Sequence, residues 1–320
     1  MPFLTITGAT GFVGRAACTE AVARKREVRA VTRAASDMPP GMDHVAVGNI
    51  DGATDWGPAL ANCDVLVHLA ARVHVMRESA ADPLGSFRRV NVDGTLNLAR
   101  QAAAAGVRRF VFVSSIKVNG ESTAPGKPFS ESDAPAPADA YGVSKMEAEQ
   151  GLRELAARTG MEVAIIRPPL VYGSGVKANF AALLGAIQKG WPLPLGAVQN
   201  LRSFVAIDNL VDFIFTCADH PLAANETFLV SDGHDLSTPG LVHGLARAAG
   251  MSARMPRVPL WALQAGAALL GKGDALGRLC GNLQLDISRA RDVLDWEPPV
   301  AVAYALQQTV AGRRDRETSV

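Results

Sequence analysis

The chain has little cysteine, and its cysteines are scattered. The four residues Cys18, Cys63, Cys217 and Cys280 form no Cys-x-x-Cys pair. This spacing excludes a disulfide framework and a cysteine-based zinc site, and it favours reduced thiols in a cytoplasmic protein. The six histidines show no metal-ligand spacing either. We therefore expect no metal centre.

Neither sign of charge is in excess, because 32 Lys and Arg residues face 31 Asp and Glu residues. A net charge of +1 gives no reason to expect a nucleic-acid partner. The N-terminus leads directly into a β-prone segment without the pattern of a signal peptide, which also favours the cytoplasm.

Long apolar runs are missing as well. The longest, 258–271, contains Pro259 and Gln264. It is shorter than the roughly 20 residues of a membrane span, so we expect no stable membrane insertion. We interpret this run as a buried or subdomain helix, with contact to a membrane surface as the alternative.

Glycine is plentiful, and three glycines open the chain's clearest motif. An apolar segment at 3–6 leads into the loop 7–14, and helical spacing of small apolar residues follows. Gly8 permits a tight turn, Gly11 lets the backbone approach a pyrophosphate, and Gly14 lets the helix pack closely on the strand. The free N–H groups of the helix would then face phosphate. The pattern predicts dinucleotide binding through Gly8, Thr10, Gly11, Phe12, Val13 and Gly14.

The order of predicted elements indicates the fold class. Strands alternate with helices up to residue 172, which predicts an α/β fold with a doubly wound, parallel Rossmann sheet. We assign residues 1–172 to a dinucleotide-binding domain. Residues 173–320 are predicted to form mainly a smaller, mixed α/β substrate domain, with segments near 204–217 returning to the first domain.

The end of the second predicted strand bears on the choice of cofactor. An NAD-specific fold usually has Asp or Glu there to hold the ribose 2′-hydroxyl, whereas this chain has Arg33. Because an arginine accommodates a 2′-phosphate, we expect NADP(H) to be preferred, with NAD(H) possible. A solvated surface arginine is the alternative.

Three further residues form a candidate catalytic set. Tyr141 and Lys145 are four residues apart at a predicted helix start, so they share one face. An ammonium beside a phenol is expected to lower the pKa of the tyrosine, which suits proton exchange with a sugar hydroxyl or carbonyl. Ser115 follows a predicted central strand, where open α/β sheets place their ligands. We predict catalytic roles for Ser115, Tyr141 and Lys145.

Taken together, these motifs resemble the extended short-chain dehydrogenase/reductases of the nucleotide-sugar epimerase/dehydratase family. The matching pieces are the glycine loop, His-Leu-Ala-Ala at 68–71, Asn-Val-Asp-Gly-Thr at 91–95, Ser-Ser at 114–115, Tyr-x-x-x-Lys at 141–145, Arg-Pro-Pro-Leu-Val-Tyr-Gly at 167–173 and Arg-Ser-Phe-Val-Ala-Ile-Asp-Asn at 202–209. As a set they are highly specific.

The resemblance implies further site residues. The expected cofactor contacts, besides the glycine loop, are Arg33, Asn49, Ile50, Leu69, Ala70, Ala71, Asn91, Tyr141, Lys145 and Pro168. The expected substrate contacts are His74, Ser115, Lys117, Asn179 and Arg202. Asn179 and Arg202 would hold the substrate's pyrophosphate, whereas His74 and Lys117 are equally plausible as packed or solvated side chains. A homodimer through the helices after Asp82 and Tyr141 is usual for the family.

The finer pattern departs from that of UDP-galactose 4-epimerases. Val118-Asn119-Gly120 replaces the usual Val-Tyr-Gly, and 72–76 also differs. The fuller pattern of residues 72–76, 115–120 and 176–184 looks like that of UDP-4-keto-6-deoxy-N-acetylhexosamine 4-reductases of O-antigen pathways. We therefore expect a UDP-sugar 4-reductase, with a UDP-hexose or UDP-N-acetylhexosamine 4-epimerase as the alternative. A non-catalytic cofactor sensor or scaffold is the second alternative.

Overall fold

The structure is a computed structural model that describes residues 3–35, 38, 42–73, 82–176, 178–269, 271 and 273–317, without the side chains of 178, 179, 181, 274, 275 and 313–317. Its strands are β1 (Leu4–Thr7), β2 (Val28–Thr32), β3 (Asp43–Ala46), β4 (Val65–His68), β5 (Arg109–Val113), β6 (Glu162–Arg167), β7 (Leu170–Tyr172), β8 (Phe204–Ala206) and β9 (Thr227–Leu229).

Helices separate most of these strands. They are α1 (Phe12–Ala23), α2 (Gly57–Leu60), α3 (Pro83–Arg88), α4 (Thr95–Ala104), α5 (Ala140–Thr159), α6 (Ala178–Gln188), α7 (Ile207–Asp219), α8 (Thr238–Ala248), α9 (Leu260–Leu269), α10 (Gly273–Cys280), α11 (Ser288–Leu294) and α12 (Val302–Glu317). A π-helical segment, Arg89–Gly94, joins α3 to α4, and Ile116–Val118 forms a 3-10 turn.

Seven strands form one parallel sheet in the order β3-β2-β1-β4-β5-β6-β9. The order reverses between β1 and β4, which is where doubly wound sheets bind ligands, beyond the carboxyl ends of the strands. The predicted fold class, a doubly wound parallel Rossmann sheet, is confirmed. A separate sheet of two strands pairs β7 with β8.

Alternating strand residues build a core on each face of the sheet. On one face Ile6, Val67 and Val111 pack with apolar residues of α1 and α7. On the other face Leu66 and Phe110 pack with residues of α4 and α5. Because both faces are covered, most residues of the central strands are apolar, as buried parallel strands require.

A third core lies in the smaller, C-terminal lobe, where α6, α8 and α12 enclose Tyr172, Leu184, Leu245 and Leu306. The chain returns from this lobe to the large sheet, because α7 packs on the first core and β9 pairs with β6. The division of the chain at residue 172 remains a prediction.

The apolar segment 258–271 was interpreted as a buried or subdomain helix. It contains α9, a helix of the C-terminal lobe, but α9 has no buried residue, so the second form of the prediction is correct and the first is wrong. Apolar composition shows that a segment avoids water, but it does not show that other residues of this chain pack over it. None of the described helices is long and apolar enough to cross a membrane.

Candidate active site

The glycine loop lies at the switch point of the sheet, between the ends of β1 and β4. Gly8 has a φ of +69°, and a Cβ there would come within 2.7 Å of the Ala70 nitrogen. A Cβ on Gly14 would come within 2.1 Å of the Gly8 oxygen. Both positions therefore require glycine, as the sequence predicts.

The start of α1 suits an anionic ligand. Gly11 is exposed at its N-cap, and neither a capping side chain nor an acidic residue occupies the first turn. The first N–H groups of a helix lack partners within the helix and carry partial positive charge. This loop therefore fits the pyrophosphate of a dinucleotide, with Thr10 exposed beside it and Phe12 and Val13 half-buried.

A buried hydrogen-bond chain supports the loop from below. The Thr7 hydroxyl accepts hydrogen bonds from the Leu69 and Ala70 nitrogens and lies 2.7 Å from His68 Nδ1. His68 Nε2 lies 3.0 Å from the Thr95 hydroxyl. Burial, with Lys145 nearby, lowers the pKa of His68 to about 3, so the imidazole is neutral. Because Thr7 already accepts two bonds, it donates to Nδ1, and Nε2–H donates to Thr95.

Ser115 stands just beyond β5 in the turn that faces the start of α5. The half-buried Ser115 hydroxyl accepts from the Lys117 nitrogen at 3.3 Å and lies near the Tyr141 hydroxyl, whose pKa it acts to lower. Glycine at 142 makes this approach possible, since a Cβ there would come within 2.9 Å of the Lys117 oxygen. Asp139 caps the helix by accepting from the Gly142 nitrogen at 2.7 Å.

Tyr141 is held from the opposite side by Phe87 of α3, whose ring centre lies 6.0 Å away at an edge-on angle. Burial raises the pKa of Tyr141 to about 12; the nearby Asp139 carboxylate adds to the rise and the nearby Ser115 hydroxyl opposes it. The prediction that Lys145 lowers the pKa of Tyr141 is therefore wrong for the protein alone. The distance of four residues shows which groups share a face but not how deeply they are buried.

Lys145 is buried and points at the sheet. Its ammonium donates to the Val113 oxygen at 2.9 Å and lies 4.5 Å from the centre of the Phe112 ring. Burial lowers the pKa of Lys145 to about 7, while the Glu149 carboxylate acts in the opposite direction. A proton on Lys145 is therefore easily gained or lost near neutral pH.

A buried ion pair lies directly behind these groups. Glu149, one turn after Lys145, accepts from Arg167 at 2.9 and 2.6 Å and from the Ser114 hydroxyl at 2.6 Å. Arg167 also donates to Asn119 at 2.9 Å. The network joins the ends of β5 and β6 to α5, so it fixes the positions of Ser115 and Lys145. Sequence reasoning missed it, although Glu149 lies at helical spacing from Lys145.

The predicted cofactor contacts have varied surroundings. Asn91 is buried in the π-helical segment, where its amide bonds the Arg72 backbone at 2.8 and 3.0 Å and the Ser144 hydroxyl at 3.0 Å. It thereby ties the loop after β4 to α5. Arg33 and Asn49 are exposed beyond the ends of β2 and β3.

The remaining predicted cofactor contacts line the same edge of the sheet. Ile50, Leu69, Ala70 and Ala71 are half-buried, and Pro168 is buried. Ile50 would clash with a Cβ on Gly94 at 2.6 Å, so the loop after β3 packs closely on the π-helical segment.

On the predicted substrate side, Arg202 is half-buried between two backbone bridges, to Leu236 and Leu283. Its Nη1 donates to the Gly281 oxygen at 2.9 Å, which uses one of five donors. Burial lowers the pKa of Arg202, and Glu121 opposes this. The Gly281 oxygen therefore orients the guanidinium. Contact between Arg202 and a phosphate remains a prediction.

Lys117 has carboxylate partners in the structure. Its ammonium pairs with Glu121 at 2.8 Å and with Asp139, the residue that caps α5. These pairs help to hold the helix start, and the sugar contact of Lys117 remains a prediction. His74 lies outside the described residues, as does the side chain of Asn179. Among the described residues no His, Cys, Asp and Glu cluster could hold a metal ion.

Comparison with known proteins agrees with this geometry. Residues 4–231 match the model of the NAD dependent epimerase/dehydratase family. The chain belongs to this family. The chain is also similar to a UDP-glucose 4-epimerase of Vibrio cholerae, with 48% identity over 96% of its own length and 94% of the other's.

Solved structures show the same fold. UDP-glucuronic acid 4-epimerase from Bacillus cereus, in complex with NAD, superposes with a TM-score of 0.78 at 18% identity over 98% of this chain and 99% of the other. MoeE5 in complex with UDP-glucose and NAD gives 0.77 at 24% identity over 98% and 99%. The chain is an enzyme of the epimerase/dehydratase type, and its 48% identity to the Vibrio cholerae protein favours the epimerase alternative over the predicted 4-reductase.

Proposed function

We propose that this protein interconverts the C4 epimers of a UDP-hexose, with UDP-glucose and UDP-galactose as the first pair to test. The observation that carries the proposal is the position of the Ser115 hydroxyl near Tyr141, at the start of the helix that also carries the buried Lys145. The 48% identity to a UDP-glucose 4-epimerase supports the choice of reaction.

The chain's own residues have distinct tasks in this reaction. As the phenolate, Tyr141 takes the proton from the sugar's C4 hydroxyl and later returns it, and Ser115 hydrogen-bonds the same oxygen. With a pKa near 12 almost no Tyr141 is phenolate at neutral pH, so its ionisation must be assisted when the substrate binds. Lys145, whose pKa of about 7 makes it an adjustable cation, is the group placed to assist.

We propose NAD as the resident cofactor. When bound, a nicotinamide dinucleotide accepts hydride from C4 of the sugar and gives it back. Gly8, Gly11 and Gly14 would hold its pyrophosphate at the start of α1. Arg202 would hold the diphosphate of the substrate, which positions the sugar for reaction.

The test is an assay without any added reductant. Purified protein is supplied with NAD and UDP-galactose, and the product is followed by NMR. Formation of UDP-glucose until both epimers are present at equilibrium supports the proposal, and Ser115→Ala should slow it strongly. Absence of any C4 interconversion across UDP-hexoses and their N-acetyl forms would reject it.

Reduction of a UDP-4-keto-6-deoxy-N-acetylhexosamine by NADPH is the second candidate. The observation that favours it is the exposed Arg33 at the end of β2, where a cofactor's 2′-phosphate would lie. A charged hydrogen bond contributes roughly 1.5–3 kcal/mol, which is about a ten- to hundredfold difference in affinity.

Cofactor titrations separate the two candidates. If the second is correct, NADPH binds more tightly than NADH, Arg33→Ala removes the difference, and NADPH is consumed with the 4-keto sugar. Arg247→Ala is the matched control, since this exposed arginine lies on α8, outside the predicted cofactor contacts. Equal binding of NADH and NADPH would remove the argument from Arg33.

A further inference from the structure

The composition of α9 conflicts with its position. Its sequence, Leu-Trp-Ala-Leu-Gln-Ala-Gly-Ala-Ala-Leu, contains one polar side chain and no charge. A helix that is apolar on all sides is normally buried in a core or in a membrane. Yet no residue of α9 is buried. The described part of the chain therefore leaves an apolar helix in water.

The exposed side chains are large. Trp261 is 72% exposed and Leu269 is 89% exposed. Trp191 is 59% exposed on a neighbouring segment, which is joined to the chain before α9 by a bond from the Leu193 nitrogen to the Arg254 oxygen. Only Leu263 on the inner side of α9 packs against the core of the lobe. Single exposed apolar residues are ordinary, but an apolar patch of this kind marks an interaction site.

Cations border the apolar helix. Segment 251–280 contains four basic residues and one acidic residue, although the chain as a whole is almost neutral. Arg254, Arg257 and Arg278 are exposed. On the neighbouring segment the Lys189 ammonium lies 5.2 Å from the Trp191 ring centre. Tryptophan next to Lys and Arg around an apolar face is the composition of helices that lie at a membrane surface.

The length of α9 decides how such a helix would meet a bilayer. Ten residues at 1.5 Å per residue span about 15 Å, roughly half of a hydrocarbon core. The helix can therefore lie in the interface, but it cannot cross the bilayer.

We propose that α9, together with Trp191, Arg254 and Arg257, forms a docking surface for the anionic face of a phospholipid bilayer. The basic border is complementary to acidic headgroups, and the apolar helix fits the boundary with the acyl chains. A symmetric contact with a second copy would bring the same arginines together and repel. This inference is independent of which sugar the protein acts on.

Docking would also orient the substrate side of the protein. The α10 helix leads to Gly281, whose oxygen accepts from Arg202 at 2.9 Å and from Asn200 at 3.0 Å. The docking surface is therefore linked, through one short helix, to the arginine expected to hold the substrate's diphosphate. A bilayer contact would place that end of the enzyme next to the membrane.

Sedimentation of the full-length protein with vesicles tests the proposal. One set of vesicles contains phosphatidylcholine and phosphatidylglycerol in equal parts, and the other contains phosphatidylcholine alone. The parent should bind the anionic vesicles and lose affinity as salt is added. Trp261→Glu with Leu269→Glu should weaken binding about tenfold or more. Arg254→Ser with Arg257→Ser should weaken it about fivefold for each arginine.

Leu222→Glu is the matched control, because Leu222 is 60% exposed and lies far from α9 in sequence. This variant should bind the anionic vesicles as the parent does. A second readout needs no variant. Trp56 and Trp296 are buried while Trp191 and Trp261 are exposed, so anionic vesicles should protect the parent from acrylamide quenching. Binding that is absent, or equal in the parent and the Trp261/Leu269 variant, would overturn the proposal. So would a parent oligomer that this variant converts to monomers without any vesicle binding, since a second copy would then be the cover.

Discussion

Glu149→Gln should destabilise the protein strongly. The Glu149 and Arg167 side chains are 1% and 3% exposed and share two hydrogen bonds. With glutamine the buried guanidinium keeps its charge and loses the carboxylate, and the new amide N–H groups face donors. Breaking a buried pair in this way costs about 3–5 kcal/mol.

The expected change in melting temperature follows from the size of the chain. Unfolding entropy of about 2.1 cal/mol/K per residue gives about 0.7 kcal/mol/K for 320 residues. The melting temperature should therefore fall by roughly 4–7 °C. Differential scanning calorimetry measures it directly.

Glu147→Gln on the same helix is the matched control. Its pair with Arg88 is partly exposed, and solvent-exposed pairs contribute little, so its melting temperature should stay near that of the parent. Glu149→Gln should also lower the pKa of Lys145 below about 7, because the carboxylate that holds it up is gone. The alkaline limb of the activity profile would then move to lower pH. Equal melting temperatures for the two variants would refute the reasoning.

Three other variants test separate parts of the site. Tyr141→Phe should reduce turnover by about a hundredfold or more and leave NAD affinity unchanged. Steady-state kinetics with cofactor titration measures both. A loss of turnover below about tenfold, or 1.4 kcal/mol in the barrier, would remove Tyr141 from the proton-transfer role. Arg202→Ala should raise the KM for the UDP-sugar while NAD affinity stays constant, with the exposed Arg247→Ala as control; equal losses for both ligands would indicate general damage instead. Lys145→Met should alter the pH dependence of stability between pH 7 and 10.5, the folded and unfolded pKa values of Lys145. In that range the unfolded parent binds more protons, so the parent gains stability as pH rises and the variant does not; parallel melting curves from pH 6 to 10 would contradict this.

Much of the fold could be predicted because its signals are local. The glycine loop needs glycine at positions 8 and 14 for steric reasons that the motif itself carries, and apolar runs of four to six residues mark the buried strands. The Tyr141–Lys145 spacing likewise indicates a shared helix face.

The unpredicted features depend on partners far apart in the chain. Thr7 and His68 are 61 residues apart, and Ser114 and Glu149 are 35 apart. No local pattern pairs these residues. The sequence did offer two signals of a buried ion pair: Glu149 lies one turn after Lys145, and Arg167 lies just before two prolines. The sequence also does not show how deeply each side chain is buried. For this reason the predicted direction of the Tyr141 pKa shift was wrong, and burial of α9 was expected. The homodimer and the cytoplasmic location remain predictions.

The most direct test of the proposed reaction follows the hydrogen on C4. UDP-glucose carrying deuterium at C4 is incubated in ordinary water with the protein and NAD, and the UDP-galactose formed is analysed by NMR and mass spectrometry. If hydride leaves C4 and returns to it within the site formed by Ser115, Tyr141 and Lys145, the product keeps its deuterium at C4. Product that has exchanged this deuterium for solvent hydrogen, or no product at all, would contradict the account.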